Sequence, residues 1–339
     1  MKGKAMPRKI RIGMIGCGGN AHEHGRRLAQ IPEAEIVAIC DVSTEALEAF
    51  KRTIPGCENI PTYNDYTKML KEVEMDAIEI STPHTLHYEQ IMAGLEHGLH
   101  VLCEKPMVCT VKHAKKVVQA ARESKKHMMI SYQRHFIGPY VYAHNVIKSN
   151  QIGAPHFVAS WQGQNWMFVT KQWRGDPALS GGGQLNDSGS HMIDAVLWIT
   201  DLQPVEVFAY VDNRGAKVDA VSAISVKFAG GATGNISIVG DSCGPRGKVY
   251  EEILIWCRNG QLIIRENNLF RRDGDAEPYL VPPEGLPKTK DPDRAFIDLI
   301  LGEAPNEVPP ECGLKVIQLT EAAWESAASG KPVRIRKVR

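Results

Sequence analysis

The chain has 339 residues, with 40 Lys and Arg against 39 Asp and Glu, a formal charge of +1, and 43% apolar residues. That length holds about two ordinary domains of ~100–200 residues with ample material for a core. Balanced charge argues against a nucleic-acid-binding surface and a disordered acidic tail, and no run approaches the ~18 apolar residues of a membrane span. Residues 1–9 form a short basic start with no apolar segment behind it, so no signal peptide is expected.

Residues 9–15 read as a strand that runs into Gly16-Cys17-Gly18-Gly19-Asn20-Ala21, a G-x-G-x-x-A pattern, followed by a helix over 22–31 that stops at Pro32. Gly16 permits a tight turn, Gly18 lets a pyrophosphate approach closely, and Ala21 permits close helix–strand packing. The phosphates of a dinucleotide would sit at the N-terminus of that helix, with Gly19 and Asn20 in the cofactor-binding loop before it. The next strand, 34–40, ends at Asp41, 20 residues past Ala21. An acid there is placed to bind the adenosine ribose hydroxyls, and its charge repels a 2′-phosphate, which favours NAD over NADP. A helix capped by Ser43 follows, then a helix over 66–73 and a strand over 76–80 that leaves Ser81-Thr82-Pro83 at its carboxyl end. After a helix over 86–97, a short apolar strand delivers Glu104-Lys105-Pro106. Proline has no N–H and ends ladder pairing, so Lys105 should stand at a strand's carboxyl end, where open α/β sheets bind ligands. A helix over 111–125 and a strand over 127–131 complete the alternation, which implies a doubly wound parallel sheet of Rossmann type over residues 1–132.

The pattern then changes. Residues 221–228 and 233–238 flank Gly230-Gly231, and 253–257 and 261–264 flank Arg258-Asn259-Gly260, both hairpin signals. Residues 133–339 therefore read as an α+β domain with a largely antiparallel sheet, a long surface loop over 266–294, and helices over 295–301 and 312–329. Three glycines at 181–183 feed a helix on which Asp187 and His191, four apart, would share a face, with Asp194 a turn further on. A glycine-rich approach is where backbone can meet a ligand closely, although a capping aspartate and a neighbouring histidine would look the same. Asp194 and Trp198 read as structural. Arg174 could bind a polyol or an acidic group, or lie solvated on a loop. The polar and aromatic mixture from Trp161 to Trp166 suits a sugar face or an edge strand with its loop.

The eight cysteines are scattered without a C-x-x-C pair, as expected of reduced thiols in the cytoplasm. His22 and His24 lack a carboxylate or thiolate at ligand spacing, so no metal is expected.

The succession of the glycine motif, Thr82-Pro83-x-x-x-His87, Glu104-Lys105-Pro106 and Gln133-Arg134-His135-Phe136 resembles the glucose–fructose oxidoreductase / inositol dehydrogenase (Gfo/Idh/MocA) family. The run Gly-Gly-Gly-x-Leu-x-Asp-x-Gly-x-His-x-x-Asp over 181–194 resembles that family's catalytic segment. The resemblance implies an NAD-dependent oxidoreductase acting on a secondary alcohol of a sugar, inositol or related polyol. It implies Lys105, Asp187 and His191 as catalytic residues. It adds Ser81, Thr82, Pro83, His87, Glu104, Lys105 and Arg134 to the cofactor-binding Gly16, Gly18, Gly19, Asn20, Ala21 and Asp41, His87 being equally readable as a packing residue. Trp166, Arg174 and His191 would contact substrate, and a homodimer or homotetramer is implied. NAD-dependent glycosidases and cofactor-sensing regulators also occur in the family, so both remain as alternatives.

Overall fold

The structure, a computed structural model, describes residues 8–335; most of the basic start and residues 336–339 lie outside the described residues. It divides into two compact units. The first holds the described chain up to Met107, Lys115–Ser131 and Lys290–Pro310; the second holds Val108–Ala114, Tyr132–Thr289 and the chain from Glu311. The linear division expected at 132/133 thus needs correction, because a C-terminal segment returns to the first unit.

In the first unit, strands β1 (Ile10–Ile15), β2 (Ala34–Cys40), β3 (Thr62–Tyr63), β4 (Ala77–Ile80), β5 (His100–Cys103) and β6 (Met128–Ile130) form one sheet in the order β3-β2-β1-β4-β5-β6. Every pairing is parallel. Helices α1 (Gly19–Leu28), α2 (Thr44–Thr53), α3 (Tyr66–Glu72), α4 (His87–Glu96) and α5 (Val111–Ser124), which belongs to this unit from Lys115 on, alternate with the strands. Ser43 and Asp65 cap α2 and α3 by accepting from Ala46 and Thr67 N–H groups. Met14, Ile39, Ile78 and Leu102 are fully buried, as a sheet covered on both faces requires. Chain order reverses between β1 and β4, which makes their carboxyl ends the switch point where such sheets hold ligands.

The second unit contains α6 (Gly138–Lys148), a helix the sequence reading did not place. Its sheet comprises β7 (Pro155–Gln164), β8 (Pro204–Asp212), β9 (Val221–Phe228), β10 (Thr233–Val239), β11 (Val249–Cys257), β12 (Gly260–Arg265), β13 (Asn268–Asp273), β14 (Tyr279–Leu280) and β15 (Val333–Arg334). The order is β14-β13-β12-β11-β7-β10-β9-β8-β15, and β7 with β10 is its parallel pair. Two expectations are overturned here. Trp161 and Gln162 lie on a central strand between β10 and β11, not on an edge. The segment 266–294, read as loop, contributes β13 and β14 and the start of a helix. Short α7 (Pro177–Ser180) leads to α8 (Gly189–Thr200), whose Gly189 meets Ile238 of β10 closely. The last helices are α9 (Pro292–Leu301), in the first unit, and α10 (Pro310–Ser329).

Candidate functional site

The glycine loop is built as the motif requires. Gly16 has φ +96°, and a Cβ there would stand 2.7 Å from the Ser81 carbonyl carbon and oxygen, so both conformation and space exclude a side chain. A Cβ on Gly18 or Gly19 would meet nothing within 4 Å. That leaves an open cradle at the start of α1, which has Gly18 as N-cap, no side-chain cap and no acid in its first turn. Unsatisfied N–H groups and a positive helix end suit a pyrophosphate. Ala21 is fully buried against the sheet. Asp41 accepts from the Cys17 N–H through one oxygen and from the Ser43 N–H through the other, each at 2.8 Å, which ties the loop to the end of β2. These residues fit a nicotinamide dinucleotide: the uncapped helix start suits its phosphates, and the carboxylate retains lone pairs for ribose hydroxyls.

The neighbouring strand ends meet the same loop. Ser81 donates to Glu79, and Thr82 Oγ1 donates to Gln90 Oε1 at 2.6 Å. His87, expected either at the cofactor or in packing, takes the packing role: it is fully buried, with Nδ1 2.8 Å from the Pro106 carbonyl and Nε2 2.9 Å from the Thr82 carbonyl. It therefore laces the turn after β4, with Pro83, to the turn after β5. Burial lowers its pKa, although both carbonyls favour the charged ring. Glu104 and Lys105 are both buried, and the Glu104 carboxylate faces Asn20 Nδ2 and the Lys105 N–H, each at 3.3 Å. His22 and His24 diverge: His24 is buried among carboxylates, while His22 bonds Thr53 and packs its edge on Phe50.

In the second unit Asp187 precedes α8 and is not on it, so the expected helical i,i+4 relation to His191 is wrong. The glycines explain why. A Cβ on Gly183 would fall 1.9 Å from the Asp219 carbonyl oxygen, and one on Gly182 would fall 2.5 Å from the Trp324 ring. They serve close packing inside the protein, and the chain turns through residues 184–188 before the helix starts. Asp219, which no sequence signal marks, accepts from Gly183 N–H at 2.9 Å, Leu185 N–H at 2.8 Å and Trp324 Nε1 at 3.1 Å. Burial pushes its pKa up against those donors.

The turn gathers three of the expected residues. Asp187 Oδ2 accepts from Trp166 Nε1 and Arg174 Nε, both at 2.9 Å, and the Arg174 guanidinium lies 4.3 Å over the Trp173 ring. Trp166 is 2% exposed, so its contact is with the catalytic candidate and not with an open sugar face. His191 sits in the first turn of α8 with Tyr132 edge-on at 5.8 Å. Asp194 is held by His135 Nε2 at 2.9 Å, and Trp198 is stacked between His135 and His144 at 4.0 and 4.4 Å. Cys312 brings its sulfur near that pair, a possible ligand set whose carboxylate is already committed to His135. Arg134, expected at the cofactor, is instead committed within the second unit: its guanidinium is bound to the Glu251 carboxylate beside Tyr140.

Two family models match. One, described as "Oxidoreductase family, NAD-binding Rossmann fold", covers residues 10–132, and the other, "GFO/IDH/MocA C-terminal domain", covers 140–263. The chain is 29% identical to the rhizopine catabolism protein MocA of Rhizobium meliloti over 201 residues, 58% of this chain and 59% of that protein. It is 29% identical to inositol 2-dehydrogenase of Salmonella typhimurium over 153 residues, 44% of each. The matches thus span about half the length of these curated relatives. Among solved structures, the WlbA dehydrogenase of Bordetella pertussis in complex with NADH and UDP-GlcNAcA shares the fold, with a TM-score of 0.85 at 23% identity over 98% of this chain and 100% of that one. With the glycine cradle, the lysine turn and both matched domains in place, the chain belongs to the Gfo/Idh/MocA oxidoreductase family.

Proposed function

We propose that this protein is an NAD-dependent dehydrogenase that oxidises a secondary alcohol of a sugar, inositol or related polyol. The observation that carries the reading is the uncapped glycine cradle tied to Asp41, with Lys105 buried two strands from it across the switch point. A nicotinamide cofactor bound there would supply the hydride acceptor. The protein must then manage the hydroxyl proton. Lys105 holds the hydroxyl and stabilises the oxyanion that develops, and His191 takes the proton, since an imidazole titrates near working pH. Asp187, itself oriented by Trp166 and Arg174, orients substrate and histidine. The names of the relatives, an inositol dehydrogenase among them, support a polyol as the substrate class. The family resemblance supports a homodimer or homotetramer, and eight scattered cysteines without a C-x-x-C pair accord with a cytoplasmic location.

The test is NADH formation at 340 nm over a panel of polyols, aldoses, sugar acids and inositols, with NAD and NADP. A hit with NAD is expected. Lys105→Met and His191→Ala should each lower kcat by about a hundredfold or more while leaving NAD affinity within about threefold. Near-wild-type turnover in either variant would sink its assigned role. Release of reducing sugar without net NADH would identify the glycosidase alternative, and cofactor binding with no turnover on any substrate would leave a sensor.

A further inference from the structure

Beneath the glycine loop the first unit buries four ionisable side chains. His24 comes from α1, Glu79 from β4, Glu104 from the end of β5 and Asp293 from the first turn of α9, and none is more than 5% exposed. His24 Nδ1 lies 2.7 Å from Asp293 Oδ1, and Nε2 lies 2.9 Å from Glu104 Oε1 and 3.7 Å from Glu79 Oε1. A neutral imidazole has one N–H and one lone pair, and a lone pair facing a carboxylate oxygen repels it. Both contacts are favourable together when both nitrogens donate.

The charges close on the same answer. Arg27 reaches Asp293 Oδ2 at 3.4 Å, so the two cations, His24 and Arg27, offset Glu104 and Asp293. Glu79 fits only without charge, and its Oε2 has no hydrogen-bond partner among the described residues. Burial pushes Glu79 up to about 8, partly opposed by His24 and the Ser81 hydroxyl. Burial works against a charged His24, yet Asp293 and the hydrogen bonds to Asp293 and Glu104 hold its pKa well above the usual histidine value, and Glu79 adds to that hold only once ionised.

We propose that His24 is a positioning residue: as an imidazolium bridging Asp293 and Glu104, it fixes the turn that carries Lys105. Glu104 transmits the constraint, since its second oxygen faces both the Lys105 N–H and the glycine-loop Asn20. One histidine thereby sets the lysine turn and the cofactor loop against α9. Glu79 is its built-in competitor, because once ionised it draws the Nε2 proton away from Glu104. The inference rests on Lys105 being catalytic, as proposed above.

The experiment compares full-length wild type, His24→Gln, Glu79→Gln and Lys105→Met, reading NAD affinity by calorimetry and kcat from pH 6 to 10 on the substrate found by the panel. His24→Gln should lower kcat about ten- to a hundredfold with NAD affinity within about threefold. Glu79→Gln should move the alkaline fall of its own kcat profile upward by about one pH unit. An inactive Lys105→Met beside a His24→Gln with wild-type kcat would overturn this inference alone. Full turnover in Lys105→Met would remove the role assigned to Lys105, and this inference with it. If His24→Gln fails to fold, nitrogen-15 histidine spectra of the wild-type chain decide at pH 7.5: both ring nitrogens of His24 protonated is the expected result, and a single-tautomer neutral ring overturns it.

Discussion

Asp41 spends both carboxylate oxygens on backbone N–H groups, one in the glycine loop and one at the start of α2. It therefore does two jobs: it holds the loop, and it places a negative charge where an adenosine ribose would lie. Asp41→Asn keeps one acceptor and loses the charge that repels a 2′-phosphate. A charged hydrogen bond is worth about 1.5–3 kcal/mol, so the NAD-to-NADP affinity ratio should fall by about tenfold or more. Titrating both cofactors into both proteins measures it, and an unchanged ratio would remove Asp41 from cofactor discrimination. The tie from Asp41 to the loop was not legible in the sequence, where its position suggests only a ribose contact, but Gly16 was legible because it answers a local backbone demand a short motif encodes. His24, Glu79 and Asp293 were not, since His24 and Asp293 stand 269 residues apart and meet only in the fold. One trace was visible: an acid set in the apolar strand Ala77-Ile78-Glu79-Ile80.

The turn between α7 and α8 is where sequence periodicity misleads. Asp187 and His191 have helical spacing, but the turn begins with Gly183, packed so closely on Asp219 that helix starts only at Gly189. Asp219 then takes up the N–H groups that this irregular backbone leaves over. Asp219→Asn puts an amide NH2 against N–H donors whichever way it is flipped, since both its oxygens are used. Leaving such a buried donor unmet costs about 1–3 kcal/mol, so the urea midpoint should fall with an unchanged m value. A wild-type midpoint would show that Asp219 does not hold the turn. The misread edge strand has a related cause. Ser160 and Gln162 alternate like solvent-facing residues, yet both are buried on central β7, where Ser160 bonds the Asn235 carbonyl and Gln162 bonds Ser188 at the start of α8. Periodicity reports which face a side chain takes, not what it meets there.

Across the whole molecule, alternating strands and helices made the parallel sheet readable, because each element carries its own period and caps. The return of 290–310 to the first unit has no such local mark: its anchors are long-range contacts, among them Asp293 to His24, Arg294 to Glu33 at 2.8 Å, and Val308 to the Ile130 N–H at 3.0 Å. Anchoring a distant segment through buried ionisable groups makes stability depend on pH. Glu79 is pushed by burial from an ordinary 4.5 to about 8. Between those values the unfolded chain ionises this carboxyl while the folded chain keeps its proton. The folded state therefore binds more protons, and wild-type stability falls as pH rises through that window. Below it both states are protonated and the group contributes no slope. His24, also raised, loses its contribution as pH climbs above its unfolded value, with the same sign. Glu79→Gln isolates the first effect because an amide has no proton to lose. The Tm of Glu79→Gln relative to wild type should thus be flat near pH 4 and climb steadily from pH 5 to 8. The gain approaches about 1.4 kcal/mol per pH unit where the two states differ by a whole proton. A difference that does not change between pH 5 and 8 would mean that Glu79 is ionised in the folded protein, and with it the charge balance around His24 would fail.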